Sequence, residues 1–431
     1  MIIIHDMYKY RNIEERVRES LAAFRIVSLT GARQVGKTTL VRQLCGEDGR
    51  RYTSFEDPVS RAAAASDPAA WLAANPPPLA IDEVQYVPAI FPALKQRVDN
   101  DPRPGQYLIT GSALWLSMKT IGESLAGRTA ILEMFPFRPC EWRGSKWDWA
   151  SVFGPDDSLL RSLAPPPDDT HALLWNSVMT GGYPEPAAFT STRIRRTWHE
   201  SYLRTYLQRD VQDLANVERM NEFTRLIRLL AAQTGALVNQ SALARDLGLP
   251  QPTVRRYIEW LRVTYQCHAL PPYSTNLGKR LVKTPKLYWS DSGAAAALTG
   301  LMDRAAVESA QKSGALIETW VVNDLHAWCS EVGDATLSFW RTHGGGEVDV
   351  LIERQGAIVA VEIKAGRRID ARDLRGLREC RAALGHRFRR GIVLHGGGDA
   401  QGLEDGIVAI PLACLLGREE RGEGSSKVRE F

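Results

Sequence analysis

The chain has 431 residues, 44% of them hydrophobic and 24% charged, a composition that excludes a disordered, collagenous or coiled-coil protein. At about 150 residues per domain the length predicts about three domains, and a formal net charge of only +4 confines any nucleic-acid-binding surface to a local patch. Six scattered cysteines without a C-x-x-C pair argue against a disulfide framework or a structural zinc. No run of about eighteen apolar residues predicts a membrane span, so a soluble cytoplasmic protein is expected.

From about Arg25 to Met134, short apolar strands alternate with helical stretches, the pattern of an α/β sheet. Strands are expected at Phe24–Thr30, Leu79–Ile81, Tyr107–Thr110 and Ala130–Met134. After the first, Gly31-Ala32-Arg33-Gln34-Val35-Gly36-Lys37-Thr38 satisfies G-x-x-x-x-G-K-S/T and leads into a helical pattern that begins at Thr39. The glycines let backbone N–H groups wrap a phosphate, and the helix start adds its positive dipole end. Lys37 is expected on the β- and γ-phosphates of ATP and Thr38 on Mg²⁺. Gly31 to Thr39 is thus the expected nucleotide cradle.

The second strand runs into Asp82-Glu83. Asp82 is expected in the Mg²⁺ shell and Glu83 beside the attacking water, the residue that turns a nucleotide binder into a hydrolase. The third ends Thr110-Gly111-Ser112, where Thr110 or Ser112 is placed to sense the γ-phosphate. Arg128 and Arg209 are candidate sensor or trans-acting arginines, with a surface or lid ion pair as the alternative for each.

From about His171 to Leu261 the chain reads as nearly all helical. Asn239–Gly248 is a helix closed by glycine. After a short turn, Thr253 is expected to cap a second helix whose Val254, Tyr257, Ile258 and Leu261 share an apolar face. The pair reads as a helix-turn-helix, with Arg255 and Arg256 at the start of the second helix, where nucleic acid is met. A strand-turn-strand follows, a wing carrying Lys279, Arg280, Lys283 and Lys286 as a basic patch. The alternative is a packing or lid module.

The C-terminal third reads helix, three strands, helix, strand. Glu362 and Lys364 lie two apart on a strand and so share a face, and Asp349 lies on the partner strand. Two such carboxylates can hold Mg²⁺ while the lysine positions or deprotonates a water at a phosphodiester. Glu318, on the preceding helix, could complete the metal shell. A strand-face salt bridge is the alternative for each residue.

Together these segments resemble a known family. The anchors are Leu29–Leu40, Ile81–Gln85, Ile109–Ser112, Leu125–Arg128, Gly181–Pro184, Tyr202–Asp210, Lys283–Gly293, Glu347–Asp349 and Glu362–Lys364. The chain resembles prokaryotic AAA-type ATPases of the archaeal-ATPase-like group with a C-terminal domain of unknown function related to PD-(D/E)xK nucleases. Ala32 departs from the proline more usual in that family. The resemblance implies ATP binding.

The expected architecture is α/β: an AAA-type P-loop core (1–165), a helical lid (166–218), a winged helix-turn-helix (219–293), a restriction-endonuclease-like α/β domain (294–417) and a disordered tail (418–431). The expected function is ATP hydrolysis with Mg²⁺ on nucleic acid, DNA first, controlling the nuclease-like domain. Self-association is expected, because AAA-type sites are often completed by a neighbour's arginine. The alternative is a nucleotide-dependent switch whose nuclease-like domain is inactive and docks a protein.

Overall fold

A computed structural model describes residues 8–111, 125–163, 170–206, 220–274, 284–301, 303–342 and 344–417. Ser112, Arg209, Lys279, Arg280, Lys283 and the tail 418–431 lie outside the described residues.

Five strands form one parallel sheet: β1 (Ile26–Thr30), β2 (Arg51–Ser54), β3 (Leu79–Asp82), β4 (Tyr107–Thr110) and β5 (Thr129–Glu133), in the order β2-β3-β4-β1-β5. β1, β3 and β4 are buried throughout, because helices cover both faces of a parallel sheet. Alternate residues serve opposite cores. Val27, Leu29, Ala80 and Leu108 join Leu40, Val41 and Leu44 of helix Lys37–Asp48, whereas Ile26, Ile81, Tyr107 and Ile109 join Phe91, Leu94 and Val98 of helix Ile90–Asn100. β2 had no apolar signal because it is an edge strand with no fully buried residue. Since every pairing is parallel, the phosphate-binding loop, Asp82-Glu83 and Thr110 all emerge at one edge of the sheet, the usual place for a ligand in such a fold.

The middle of the chain packs helices Met220–Ala232, Gln240–Leu247 and Gln251–Val263 with β6 (Ala236–Leu237), β7 (Cys267–Leu270) and β8 (Lys286–Trp289), antiparallel in the order β6-β8-β7. Asn239 Oδ1 accepts from the Ala242 N–H at 2.9 Å, and Gly248 closes that helix at φ 66°. The next helix starts at Gln251 rather than at a Thr253 cap. Pro252 sits in its first turn, where a missing N–H costs nothing.

The C-terminal sheet contains β9 (Ala335–Arg341), β10 (Glu347–Arg354), β11 (Ala357–Lys364), β12 (Phe388–His395), β13 (Gln401–Glu404) and β14 (Ile407–Pro411), in the order β13-β14-β12-β11-β10-β9. β13 and β14 extend the sheet beyond the expected elements. Helix Ser313–Val332 covers one face, against Val350, Ile352, Val359 and Val361, and helix Arg375–Leu384 covers the other, against Val348, Leu351 and Ala360.

The three parts share one core: a single apolar cluster runs from Val27 and Leu40 through Phe223 and Leu261 to Trp320, Val361 and Leu412. Polar ties cross the same boundaries. Arg138, next to the first sheet, reaches Asp324 at 2.8 Å and Glu331 at 2.6 Å on helix Ser313–Val332. The Trp149 indole also donates to Asp324, at 2.6 Å. Arg390 of β12 donates to the carbonyls of Val152 at 2.9 Å and Gly154 at 2.8 Å. Length arithmetic counts domains but is blind to how much surface they share.

Candidate functional site

The phosphate-binding loop has the backbone its sequence requires. Gly31 has φ 141°, and a Cβ there would stand 2.2 Å from the Met134 carbonyl oxygen; Gly36 has φ 100°. Both positions admit only glycine comfortably. Helix Lys37–Asp48 begins directly after Gly36, so its positive dipole end faces the loop. Ala32 is buried in the core, and Gln34 adopts φ 65° with an exposed side chain. Arg33 lends its carbonyl to the Tyr202 hydroxyl at 3.5 Å. Thr39 is exposed on the first turn of the helix. The Lys37 ammonium is buried and donates to the carbonyls of Ala32 at 2.8 Å and Gly31 at 3.0 Å.

Asp82 is the hub. Its Oδ2 accepts from the Thr38 hydroxyl at 2.8 Å and the Tyr52 hydroxyl at 2.8 Å, and its Oδ1 accepts from the Thr110 hydroxyl. Thr38 and Asp82 thus present adjacent oxygen donors of the kind a hard cation takes. Glu83 follows with φ 54°, its N–H donating to Thr110 Oγ1 at 3.3 Å and its carboxylate accepting from the Gln85 amide. Burial pushes the Glu83 carboxyl above the usual range, opposed by the positive charge of Lys37. A carboxylate raised in this way is a stronger proton acceptor. Four of the expected residues, Lys37, Thr38, Asp82 and Glu83, therefore cluster at one edge, with Thr110 behind them.

Arg128 is elsewhere. It precedes β5, at the opposite edge of the sheet from the loop, and pairs with Asp99, its Nε 2.5 Å from Oδ1. In its own chain it belongs to an ion pair and not to the nucleotide site.

Four residues outside the motifs support this edge. Arg11 donates to the Val35 carbonyl at 3.0 Å and to Phe135 O at 2.7 Å, holding the loop from below. Tyr52 secures Asp82. Tyr265, at φ 61°, donates its hydroxyl to Thr30 Oγ1 at 2.9 Å, and Gln266 donates to Tyr202 at 3.1 Å, so the turn before β7 touches the strand end that leads into the loop and, through Tyr202, the Arg33 carbonyl. None has a local signature, because each acts across a long sequence separation.

Glu133, at the end of β5, is pushed up to about 7 by burial alone. Its folded pKa lies above the ordinary 4.5, so the folded chain binds the extra proton between these values and loses stability as pH rises through about 7. Glu133→Gln is expected to be more stable than wild type at pH 8, the gap closing as pH falls to about 4.5; paired urea titrations across that range check this.

The second set of expected residues is arranged differently from the expectation. Asp349 and Glu362 lie one step beyond the Val350–Val361 pair of facing strands, and Asp349 Oδ2 accepts from the Ile363 N–H at 2.8 Å. Lys364 pairs with Glu362 at 2.9 Å and with Asp373 at 3.5 Å. Glu318 accepts from the Tyr288 hydroxyl at 2.5 Å. Between them stands Lys286, bonded to Glu347 at 2.9 Å and Glu318 at 3.1 Å and 3.5 Å from Asp349. Burial, then the Asp349 charge, pushes Glu318 up to about 7 and Glu362 up to about 8. Burial pulls the Lys286 ammonium down, but the carboxylates more than offset it and the net shift is upward. Among the described residues, no group of three or more His, Cys, Asp or Glu side chains is disposed to hold a metal. Of the expected metal set, Asp349 and Glu318 share the Lys286 ammonium, while Glu362 pairs with Lys364. Lys286 also leaves the expected basic patch, since it is buried.

Arg255 and Arg256 are exposed on helix Gln251–Val263, with the Arg256 guanidinium 5.3 Å from the Trp260 ring centre. Among the described residues, no helix is long and apolar enough to cross a membrane.

A parallel sheet with this loop, Asp82-Glu83 and an interposed Thr110 strand is an ATP-binding P-loop core, and residues 23–142 match the family described as AAA domain. Residues 171–305 and 313–415 match two families described as domains of unknown function, DUF8612 and DUF4143. The chain is 31% identical over 407 residues to uncharacterized proteins of Mycobacterium tuberculosis (Rv2008c) and Mycobacterium bovis (Mb2031c), covering 94% of this chain and 84% of each relative. It belongs to their family. Among solved structures, a Walker-type ATPase of Pyrococcus abyssi is similar at 16% identity over 68% of this chain and 97% of that one, with a TM-score of 0.41. The RuvB Holliday junction branch migration motor of Thermotoga maritima is similar at 18% identity over 60% of this chain and 89% of that one, with a TM-score of 0.29.

Proposed function

We propose that this protein is a Mg²⁺-dependent ATP hydrolase that acts on nucleic acid, DNA first, and that ATP turnover controls its C-terminal domain. The observation that carries the hydrolytic part is the convergence of Thr38, Asp82 and Glu83 beside Lys37 at one sheet edge. Lys37 leaves the loop carbonyls for the β- and γ-phosphates. Thr38 and Asp82 hold Mg²⁺, which when bound neutralises phosphate charge. Glu83 orients a water and takes its proton as the water oxygen bonds the γ-phosphorus. The bond from that phosphorus to the bridging oxygen breaks, leaving ADP and inorganic phosphate. Thr110 keeps Asp82 and the Glu83 backbone in register, and Tyr265 and Tyr202 carry loop movement to the middle of the chain. Self-association, with Arg128 or Arg209 of a second copy reaching the nucleotide, belongs to the same proposal.

Exposed Arg255 and Arg256 support the nucleic-acid part, as phosphate contacts that Lys279 and Arg280 would extend. The double variant Arg255→Ala/Arg256→Ala is expected to weaken duplex binding across sequences and to lower the salt slope by about two. Fluorescence anisotropy over a salt series reads both. Duplex-stimulated ATP hydrolysis tests the proposal as a whole, and turnover indifferent to nucleic acid rejects it.

A second reading has its own support: Lys286 pairs with three carboxylates of the C-terminal domain, Glu318, Glu347 and Asp349. On that reading the domain cleaves nothing and docks a protein partner. Mg²⁺- or Mn²⁺-dependent DNA cleavage by wild type but not by Lys364→Ala favours the first reading. No cleavage with ATP hydrolysis intact favours the second.

A further inference from the structure

We infer that Lys286 is the resident cation of the C-terminal carboxylate cluster and that it keeps a divalent metal out. The lysine belongs to β8, a strand of the middle sheet, yet its ammonium lies in the other module, against Glu318 of the long helix and Glu347 and Asp349 of β10. A lysine ammonium has three hydrogens, and three carboxylates face it here. Its side chain is 7% exposed, so the fit excludes bulk water. Phe339 of β9 closes another side, 5.7 Å from ring centre to nitrogen.

The placement is built into the strand. Lys286 and Tyr288 lie two apart on β8 and so share a face, and both reach the same oxygen of Glu318. Register fixes β8: Trp289 is opposite Cys267 and Lys286 opposite Leu270. A one-residue slip would turn Lys286 away from the carboxylates.

A divalent ion needs the same oxygens. With the ammonium in place, an ion there would face a positive charge at contact distance in a low-dielectric site. With the ammonium gone, Glu318, Asp349 and Glu347 would be left as uncompensated negative charges close together, an imbalance that a hard cation would relieve once the side chains close around it. The pattern of Asp349, Glu362 and Lys364 is therefore compatible with metal chemistry only when β8 is displaced. This inference rests on the nuclease-like reading of the cluster for the choice of cation, and on nothing in the nucleotide site.

The test counts Mn²⁺ bound to the full chain without nucleotide, from the electron paramagnetic resonance signal of the free ion. Wild type is expected to have no Mn²⁺ site that Asp349→Asn removes. Lys286→Met is expected to gain one site, tighter than any such wild-type binding by at least about tenfold, and Lys286→Met/Asp349→Asn to lose it. Lys286→Arg, which keeps the charge, is expected to behave as wild type. If Lys286→Met does not fold, Lys286→Met/Glu347→Gln carries the same measurement with less unbalanced charge and keeps Glu318 and Asp349. An Asp349-dependent Mn²⁺ site in wild type overturns the inference, as does a folded Lys286→Met or Lys286→Met/Glu347→Gln protein that gains none. Because nucleotide is absent, either negative result leaves the ATPase reading standing, and a wild type without ATP turnover leaves this inference standing.

Discussion

Glu83→Gln is expected to slow ATP turnover by about 10²–10⁴-fold while leaving ATP affinity nearly unchanged, the signature of a lost proton acceptor. The substitution keeps size and hydrogen bonding to the Gln85 side, so Asp82, Thr110 and the strand end should stay in place. It removes the one carboxylate beside Lys37 whose burial raises its proton affinity. Phosphate release at saturating ATP, with nucleotide affinity measured separately, checks the split. Turnover within about tenfold of wild type would assign the water to another group.

Arg138→Met is expected to lower stability by about 3–5 kcal/mol, the cost of leaving buried charges without their partner. The Arg138 side chain is 2% exposed and those of Asp324 and Glu331 are 0% and 12% exposed, so water cannot replace the guanidinium. Burial already pushes Glu331 up to about 7 despite Arg138, and removing the arginine should push it further. A second change, Asp324→Asn, should recover part of the loss, since it discharges one orphan and leaves an acceptor for the Trp149 indole. Urea denaturation of the single and double variants tests both statements. A single variant within about 1 kcal/mol of wild type would mean that the two carboxylates relax to solvent or take up protons cheaply.

Much of the nucleotide site was legible in the sequence because its chemistry is local. A phosphate-binding loop needs glycines, a lysine and a hydroxyl at fixed spacing, and a strand-end Asp-Glu pair announces itself once the loop is known. The supports of that site were not legible. Arg11, Tyr52 and Tyr265 reach it from 24, 30 and 235 residues away along the chain, and no period or spacing encodes such reach. Arg128 shows what a local motif leaves open: the direction of a parallel sheet carries it to the far edge of its own chain, where it makes the ion pair that was the alternative reading.

The C-terminal cluster was legible only in part. Spacing correctly put Glu362 and Lys364 on one face and Asp349 on the adjoining strand. What spacing could not reveal is that Lys286, read as part of a basic wing, turns inward and pairs with Glu318, Glu347 and Asp349. A charged residue in an apolar strand, Lys286-Leu-Tyr-Trp289, was the available signal, since a lysine there is buried only with a partner. The same motif region also explains the paired glycines upstream. Asp291 accepts from the Gly182 N–H at 2.6 Å, and a Cβ on Gly293 would stand 2.4 Å from the Thr180 carbonyl oxygen, so these segments are conformational partners across the fold.

The most direct measurement is phosphate release from ATP by wild type and by Lys37→Ala, each with and without duplex DNA. The account predicts turnover in wild type that duplex accelerates, and none above background in the variant. Equal turnover by the two proteins, or wild-type turnover that ignores the duplex, would contradict it.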